Sequence, residues 1–456
     1  MRSLFILVIT LYSFKSFGQD IALKLSQGYE HLLADSQLSH SIVAFYVVDS
    51  KSGTVLIDKN GTVGLAAAST QKVITSSTAF ALLGHNYTYK TSLQYDGNLL
   101  NGDIILKGSG DPTFGSWRYT STKEEVILKE VKDAFVKNGI TNFKRKIVEF
   151  PLWKSETIPS GWTWEDIGSY YGAGAGSFIW RENQYDLIMK SGNHIGDTVQ
   201  NFSTRPEKIV DLKIKMKVTA ADKGTGDRSY IYLPSTDSNY YVRGSIPINE
   251  NNFTISGSLL HPAKQFSFTL INELNKNNKK LNFNDHLKTQ LPNKTIYTHF
   301  SPPLDSIIYW FLKKSINLYG EALLKTIAYE KTHLGETDSG ISIIQNFWKD
   351  KGIDPLSINI KDGSGLSPAN RITATALVTI LQYDLKQPWF NSFFEALPEI
   401  NKMKMKSGSI SDVLAYTGYS KSLDGRKYTF AIIVNNYNGS STIMREKMWS
   451  LLDILK

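Results

Sequence analysis

Ser69 and Lys72 are the residues whose types and spacing most directly suggest chemistry. They form the single Ser-x-x-Lys of the sequence, within the run AAASTQKVIT at residues 66–75. Residues three apart lie on the same face of a helix, so the hydroxyl and the amine can approach each other. A lysine whose pKa is lowered by burial and by neighbouring charge can take the serine proton. The spacing predicts a nucleophile beside its base, although a four-residue pattern also arises by chance.

The flanking sequence predicts the elements that would position this pair. Residues 41–48 and 54–57 are rich in β-forming residues and are joined by a turn at residues 49–53, which indicates a hairpin. A helix is expected from Ser69 to Leu83, with Gly84 as its C-terminal cap. Ser69 would then lie at a helix N-terminus, where backbone N–H groups favour developing negative charge.

The rest of the chain divides by pattern. Residues 95–297 alternate like strands and contain two predicted helices, whereas the chain after Pro303 is helical to about residue 351. We expect an α+β catalytic domain formed by residues 19–95 and 298–456. A strand-rich insertion at residues 96–297, forming one or two nested accessory domains, would split it. The remaining expected elements are helices at 124–137, 263–274, 373–383 and 442–455, and strands at 212–218, 229–233, 413–420 and 427–436.

The N-terminus has the pattern of a signal peptide at residues 1–18. A basic start precedes the apolar stretch 4–14, and small residues lead to a predicted cut after Gly18. The protein is therefore expected to be exported to the periplasm, peripheral to the membrane or secreted, with a retained membrane anchor as the alternative. The chain contains no cysteine, so it is stabilised without disulfides.

Composition excludes several function classes. The formal charge of +9 becomes +7 if Arg2 and Lys15 leave with the signal peptide (9 − 2), and no block of like charges gives a basic stripe. Nucleic-acid binding is therefore not expected. No stretch after the signal reaches the roughly 18 apolar residues of a membrane-spanning helix. The eight histidines are dispersed, and no motif indicates a metal site or a cofactor.

Two further tripeptides are candidate partners of Ser69. Ser315-Ile316-Asn317 falls between predicted helices, and Lys406-Ser407-Gly408 falls just before the strand-like run 413–420. In penicillin-recognising serine enzymes, Ser-x-Asn and Lys-Thr/Ser-Gly follow Ser-x-x-Lys in this order. Copies of the two tripeptides also start at Lys51, Lys190, Ser191 and Ser357. Their predicted positions, in turns or before a short strand, make these copies weaker candidates.

Six ordered motifs give the sequence a resemblance to a known family. The chain resembles the D-alanyl-D-alanine carboxypeptidase/endopeptidase family of low-molecular-mass class C penicillin-binding proteins, peptidase family S13 of the penicillin-binding protein 4 type. The motifs are STQK at 69–72, GSGDPT at 108–113, GWTWED at 161–166, SIN at 315–317, DGSGLS at 362–367 and KSGS at 406–409. The resemblance implies a penicillin-binding transpeptidase/β-lactamase-like domain, an antiparallel sheet flanked by helices, with a large insertion between the first two catalytic motifs.

The resemblance also implies roles for individual residues. Ser69 would form an acyl-enzyme with Lys72 as its base, and Ser315 would relay a proton to the leaving amine. Asn317 would hold Lys72 and a substrate amide.

Lys406 and Ser407 would bind the terminal carboxylate of a peptidoglycan stem peptide. Gly408 and Ser409 lie beside them, and the backbone N–H groups of Ser69 and Ser409 would form the oxyanion hole. The same scheme implies acylation by β-lactams and requires no cofactor or metal.

One departure from the family pattern concerns the diamino acid of the substrate. Family members often have an arginine directly after Ser-Gly-Leu-Ser, but Pro368 stands there in this chain. Arg371 is the nearest guanidinium and is a candidate replacement. Asp166 matches an acid that in relatives meets the amino group of the diamino acid, and a surface carboxylate is the alternative.

Two other functions are compatible with parts of the pattern. A β-lactamase of class A uses a glutamate well downstream of Ser-x-Asn, whereas Glu321 follows Asn317 by only four positions. A catalytically inactive cell-wall-binding or sensor protein is the alternative from a different class. The presence of Ser69, Lys72, Ser315 and Lys406 favours the active peptidase.

Overall fold

The structure is a computed structural model that describes residues 20–96, 103–139, 147–153, 155–234, 238–275 and 294–456. The predicted signal peptide at residues 1–18 lies outside the described residues. No helix in the described ranges is long and apolar enough to cross a membrane.

The helices predicted from residue 69 onward are present, and a 3-10 turn at Ala68–Gln71 precedes the first of them, but the helices at residues 20–33, 164–167 and 390–396 were not predicted. The α-helices are α1 (20–33), α2 (Lys72–Leu83), α3 (Glu124–Lys137), α4 (Trp164–Ile167), α5 (Pro262–Asn275), α6 (Leu304–Lys314), α7 (Asn317–Thr332), α8 (Thr337–Lys349), α9 (Ala374–Asp384), α10 (Phe390–Ala396) and α11 (Ser441–Leu452).

The strands are mostly short and separated by turns. They are β1 (Ile42–Asp49), β2 (Val55–Lys59), β3 (Lys90–Asp96), β4 (Asp103–Lys107), β5 (Ile147–Glu149), β6 (Gln184–Lys190), β7 (Asn201–Arg205), β8 (Ile214–Ala221), β9 (Arg228–Tyr232), β10 (Tyr240–Pro247), β11 (Phe253–Ser258), β12 (Lys294–Phe300), β13 (Ile358–Asn359), β14 (Arg371–Ile372), β15 (Glu399–Ile400), β16 (Met403–Ile410), β17 (Val413–Lys421) and β18 (Lys427–Asn435).

The described residues form two compact units. The first contains the described residues up to Leu82, together with Ile308–Ser315 and Ile341–Lys456. The second contains the described residues of Leu83–Ile307, together with Ile316–Gly340. The division assigns α7 to the second unit, and the catalytic-domain boundaries at residues 95 and 298 stay a prediction.

The first unit is built on an antiparallel sheet with the strand order β15-β16-β17-β18-β1-β2. Alternate residues of its central strands, such as Phe45 and Ile432, pack against α1 and α11 in one apolar core. The other face contacts α9, where the Tyr419 hydroxyl donates to the Leu381 carbonyl at 2.7 Å. Because helices cover both faces, the central strands are apolar along most of their length.

The second unit contains three smaller sheets. Their strand orders are β12-β3-β4-β5, β11-β6-β7 and β8-β10-β9. They share a core in which Phe114, Phe178, Trp180 and Phe266 contact one another at ring-centroid distances of 4.8–5.7 Å. This aromatic cluster gives the inserted sequence a core of its own.

A buried ion pair ties α7 into the second unit. The Glu182 carboxylate accepts hydrogen bonds from Arg118 Nε at 2.7 Å, from the Ser116 hydroxyl at 2.7 Å and from the Tyr319 hydroxyl at 2.8 Å. Arg118 Nη2 donates a fourth hydrogen bond at 3.1 Å, and these four bonds offset the burial of the carboxylate. Tyr319 lies two residues after Asn317, so the network fixes the first turn of α7.

The α+β class is confirmed, and the late strands complete a sheet begun by the N-terminal hairpin, as the sequence predicts. β1 and β2 pair antiparallel, and β1 also pairs with β18. Lys406-Ser407-Gly408 lies just before β17, as predicted, but it is itself part of β16, a strand that the sequence pattern did not predict. Lys, Ser and Gly are weak strand formers, and this strand is fixed by its pairing with β17.

Candidate active site

Ser69 lies on a strained turn at the start of α2. Ala68 has a left-handed backbone with φ of +46°, which is unfavourable for a residue with a Cβ atom. The Thr70 hydroxyl donates to the Ala67 carbonyl at 2.7 Å and holds the turn closed. Ser69 is partly exposed while its neighbours on both sides are buried. The turn therefore presents one hydroxyl from an otherwise buried segment.

Lys72 is fully buried and contacts the Ser69 side chain. Its Nζ lies 2.8 Å from Ser69 Oγ and donates to the Ser364 carbonyl at 2.7 Å. Nζ also lies 5.8 Å from the centroid of the Phe311 ring on α6. The structure therefore brings the hydroxyl and the amine together, as their spacing predicts.

The loop at residues 362–367 holds Lys72 in place. The Asp362 carboxylate accepts from the Gly365 amide at 2.8 Å, the Ser367 amide at 2.6 Å and the Asn370 side chain at 3.0 Å. These bonds fold the loop so that the Ser364 carbonyl faces Lys72. The sequence identifies this segment only as the motif DGSGLS and does not indicate its contact with the lysine.

The same loop is also bonded to the 3-10 turn and to α2. Gln71 Nε2 donates to the Asp362 carbonyl at 2.6 Å, and the Thr75 hydroxyl donates to the Gly363 carbonyl at 2.7 Å. Gly365 has φ of +85°, and a Cβ atom there would lie 2.0 Å from the Ala68 carbonyl oxygen. Only glycine allows the loop to approach the nucleophile turn this closely.

Lys406 is buried in β16, near Lys72. Its Nζ donates to the Ser407 carbonyl at 2.7 Å. Burial and the positive charge of Lys72 lower the pKa of Lys406 well below its usual value. Two ammonium groups disfavour each other in a buried site, so this cluster releases a proton more easily than a lysine in water.

Gly408 allows β16 to pack against the nucleophile turn. A Cβ atom at this position would lie 2.5 Å from the Ala67 carbonyl oxygen and 2.9 Å from the Ser69 nitrogen. Ser407 is partly buried and Ser409 is exposed on the same strand. Gly408 therefore allows β16 to approach the nucleophile turn closely.

Asn435 is a supporting residue that no sequence motif indicates. Its side-chain oxygen accepts from the Ala66 amide and its nitrogen donates to the Ala66 carbonyl, both at 2.9 Å. This two-point bond anchors the segment before Ser69 to the end of β18.

Ser315 belongs to the first unit, and Asn317 and Asp166 belong to the second. Ser315 lies between α6 and α7, is partly buried and has φ of +56°. Asn317 is the first residue of α7, and its Nδ2 donates to the Tyr171 carbonyl at 2.8 Å.

Asp166 lies on α4, where Thr163 donates to its carboxylate at 2.8 Å. Partial burial raises the pKa of Asp166.

Arg371 is exposed on β14, and its guanidinium bonds to backbone close by. Its Nη1 donates to the Pro368 carbonyl at 2.7 Å and to the Asn370 carbonyl at 2.8 Å. Its suggested role in place of an arginine at position 368 stays a prediction.

The arrangement in the first unit fits acyl transfer. It contains a hydroxyl beside a buried lysine, a second buried lysine and a strand packed against the nucleophile turn. In the described ranges, no group of three or more His, Cys, Asp or Glu side chains is placed to hold a metal ion.

The fold is shared with a known class of penicillin-binding proteins. The crystal structure of penicillin binding protein 4 (dacB) from Haemophilus influenzae matches 94% of this chain and 99% of its own chain, with a TM-score of 0.78 and 18% sequence identity. A second structure of that protein, complexed with a β-lactam, matches with a TM-score of 0.71 and 17% identity, over 92% and 97% of the two chains.

Sequence comparison identifies the family. The model of the D-Ala-D-Ala carboxypeptidase 3 (S13) family matches residues 25–453, and the chain belongs to this family. A D-alanyl-D-alanine carboxypeptidase from Actinomadura sp. (strain R39) is 23% identical over 92% of this chain and 82% of its own length. The carboxypeptidase DacB of Haemophilus influenzae is 22% identical, over 87% and 86% of the two chains.

Gly365→Ala is predicted to slow the reaction of Ser69 at least 100-fold, because the added Cβ pushes the loop and its Ser364 carbonyl away from Lys72. The measurement is the acylation rate with a fluorescent penicillin. Gly425→Ala is the matched control, since Gly425 has φ of +86° with no atom within 4 Å of the added Cβ. It is expected to cost about 1 kcal/mol of stability and leave acylation unchanged. Equal acylation rates for both variants would contradict the proposed role of the loop.

The lowered pKa of Lys406 predicts a pH-dependent stability. Between this pKa and the unfolded value of 10.5, the unfolded state binds the additional proton, so the free energy of unfolding rises with pH. Lys406→Gln should remove this rise. Urea unfolding from pH 7 to 10.5 measures the difference between the wild type and the variant. Parallel pH dependences for the two proteins would show that Lys406 keeps its ordinary pKa.

Proposed function

We propose that this protein is a serine DD-peptidase that hydrolyses peptidoglycan stem peptides through an acyl-enzyme on Ser69. Membership of the S13 family supports the activity. The observation that carries the assignment of the nucleophile is the 2.8 Å contact between Ser69 Oγ and Lys72 Nζ, at the exposed point of a buried turn.

In the first step, Ser69 Oγ attacks the carbonyl carbon between two D-residues while Lys72 takes the hydroxyl proton. The C–N bond of the tetrahedral intermediate then breaks, and the leaving amine receives a proton through the Ser315 hydroxyl. Water hydrolyses the resulting ester, which releases the shortened peptide and restores Ser69. The backbone N–H groups of Ser69 and Ser409 are the proposed donors to the oxyanion.

The protonated form of Lys406, together with the Ser407 hydroxyl, is proposed to bind the terminal carboxylate of the stem peptide. A buried ammonium favours an anionic group strongly, because the pairing offsets its own desolvation. Binding of the carboxylate would also raise the pKa of Lys406 back toward its usual value. A substrate with a blocked C-terminus would lack this contact.

The edge of β16 is a suitable place for the substrate backbone. Residues 406–410 pair with β17 on one side, and β15 pairs only with Met403 and Lys404 on the other. Within the described part of the chain, the edge of β16 at residues 406–410 that faces away from β17 has no strand partner. An extended peptide can add to such an edge through main-chain hydrogen bonds.

β-Lactams are proposed to acylate the same serine, since the related Haemophilus influenzae protein has been crystallised with a β-lactam. The strained lactam amide would take the place of the scissile amide. Export by the predicted signal peptide would place the enzyme in the periplasm, where its polymeric substrate lies.

Labelling with a fluorescent penicillin tests the nucleophile. The wild-type protein is expected to carry one covalent label, and Ser69→Ala should carry none because the attacking oxygen is missing. Ser76→Ala is a matched control, since Ser76 is a buried hydroxyl on α2 with no hydrogen-bond partner among the residues that the structure describes. Equal labelling of wild type and Ser69→Ala, or no labelling of either, would refute the proposal.

Digestion of purified muropeptides separates the two activities of the family. Loss of the terminal D-alanine from uncrosslinked peptides indicates carboxypeptidase action, and cleavage of crosslinked dimers indicates endopeptidase action. Ser69→Ala should abolish both, because they share one acyl-enzyme.

A further inference from the structure

The outer face of the sheet β8-β10-β9 in the second unit is basic and aromatic. On β8, Lys215 and Lys217 are exposed while Val218 and Ala220 are buried. On β10, Arg243 is exposed while Val242 and Ile246 are buried. The inner residues join the core of the unit. The outer residues therefore lie on one surface that is not needed to close this core.

Strand register arranges these side chains in rows across the sheet. Tyr241 of β10 is paired with Lys215 of β8 and with Tyr232 of β9. In the next row, Arg243 is paired with Lys217 and with Tyr230. Paired residues point to the same face, so the rows place cations directly beside aromatic rings.

The cations lie over the rings at short distances. Lys215 and Lys217 Nζ are 5.5 and 5.2 Å from the centroid of Tyr241. The guanidinium carbon of Arg243 lies 5.3 Å from the Tyr241 centroid and 5.5 Å from that of Tyr232. Cation–π contacts hold these long side chains against the sheet. Because their conformations are already restricted, they lose less conformational entropy on binding an anion than free lysine or arginine side chains would.

An aromatic strip continues from the sheet onto α4. The Trp164 and Tyr232 rings are 4.7 Å apart, and Trp164 Nε1 donates to the Leu233 carbonyl at 3.2 Å. Trp164 is 41% exposed and Tyr230 is 46% exposed. Exposed rings with a polar tip suit a ligand that has both apolar faces and hydrogen-bonding groups, as a sugar ring has.

Negative charge lies at the margin of this face. β8, β9 and β10 contain no Asp or Glu, whereas Asp211 and Asp227 flank the strands and Glu165 lies next to Trp164. The outer positions also lack Leu, Ile, Phe and Met side chains that could insert into a lipid bilayer. The positive charge of this face and its lack of such apolar side chains therefore favour an anionic polymer with sugar rings over a membrane surface.

We propose that this basic aromatic face, formed by Lys215, Lys217, Arg243, Tyr230, Tyr232, Tyr241 and Trp164, binds the peptidoglycan polymer itself. The cations pair with the carboxylates of stem peptides, and the exposed rings stack on the glycan. The choice of polymer rests on the proposed function, but the face only binds peptidoglycan and catalyses no reaction. Its effect is to keep the enzyme on an insoluble substrate between catalytic events.

The test uses the full chain with Ser69→Ala, so that binding is measured without digestion. Co-sedimentation with purified insoluble sacculi is measured at 50 and 300 mM salt. Combining Lys215→Glu, Lys217→Glu and Arg243→Glu is expected to weaken binding at least tenfold at 50 mM salt, and salt should weaken the binding of the parent protein. The matched control combines Lys137→Glu, Lys190→Glu and Lys331→Glu, which reverse the charge of three exposed lysines of the same unit. Equal binding by the two triple variants would overturn the proposal.

Tyr230→Ser tests the aromatic part of the face, since Tyr230 is exposed and its loss leaves the charges in place. We expect several-fold weaker sedimentation at both salt concentrations. An unchanged affinity would contradict stacking on the glycan. Vesicles of phosphatidylglycerol and phosphatidylcholine at a 1:3 ratio, and single-stranded DNA, serve as competitors. If either displaced the protein from sacculi at equal charge concentration, the assignment to peptidoglycan would be wrong.

A second readout separates this proposal from the proposed function. With Ser69 intact, the triple variant Lys215→Glu, Lys217→Glu, Arg243→Glu should cleave a soluble D-Ala-D-Ala tripeptide within twofold of the wild-type rate and digest sacculi more slowly. Equal loss on both substrates would contradict a separate binding face. If the wild-type protein cleaves neither substrate, the proposed function fails, while sedimentation of the Ser69→Ala protein still decides the binding proposal.

Discussion

The placement of the Lys72 amine is the constraint on which the first unit depends. A buried lysine is costly unless its nitrogen has partners, and this one lies between Ser69 Oγ and the Ser364 carbonyl, at 2.8 and 2.7 Å. Both partners sit on backbone that would not adopt its shape alone. Ser69 follows a residue with φ of +46°, and Ser364 precedes a glycine with φ of +85°. The hydrogen bonds of the Asp362 carboxylate and of the Asn435 side chain stabilise these two backbone conformations. The surrounding fold therefore offsets the strain that keeps Ser69 and Lys72 in contact.

The second buried lysine extends this constraint from placement to charge. Lys406 cannot hold its proton as tightly as an exposed lysine does, because it is desolvated and Lys72 is nearby. A cluster that disfavours two positive charges suits a reaction that needs one neutral amine as base and one ammonium for an anionic substrate. An incoming carboxylate would restore the charge on Lys406. Substrate binding and activation of the nucleophile would then be linked through one electrostatic interaction.

The longer helices after residue 68 and the late strands were predicted from the sequence, because their apolar periodicity and caps are local signals, whereas α1, α4 and α10 were not predicted. Lys51 lies in the turn between β1 and β2, as its context predicts, whereas Lys190 is the last residue of β6 and not part of a turn. The support of Lys72 could not be predicted, since Ser364 is 292 residues away and contributes a backbone carbonyl, which carries no side-chain signature. The strand position of Lys406 was missed because pairing with β17 overrides the weak β propensity of Lys-Ser-Gly.

The central claim is that Lys72 is the base that activates Ser69. Single-turnover acylation by benzylpenicillin, followed by mass spectrometry of the intact protein, tests it directly for wild type and Lys72→Ala. Loss of a positioned base should slow acylation by about 10²–10⁴-fold, with the label still on Ser69 when it forms. Circular dichroism and thermal unfolding check that the variant remains folded. Acylation of a folded Lys72→Ala protein at close to the wild-type rate would contradict the account.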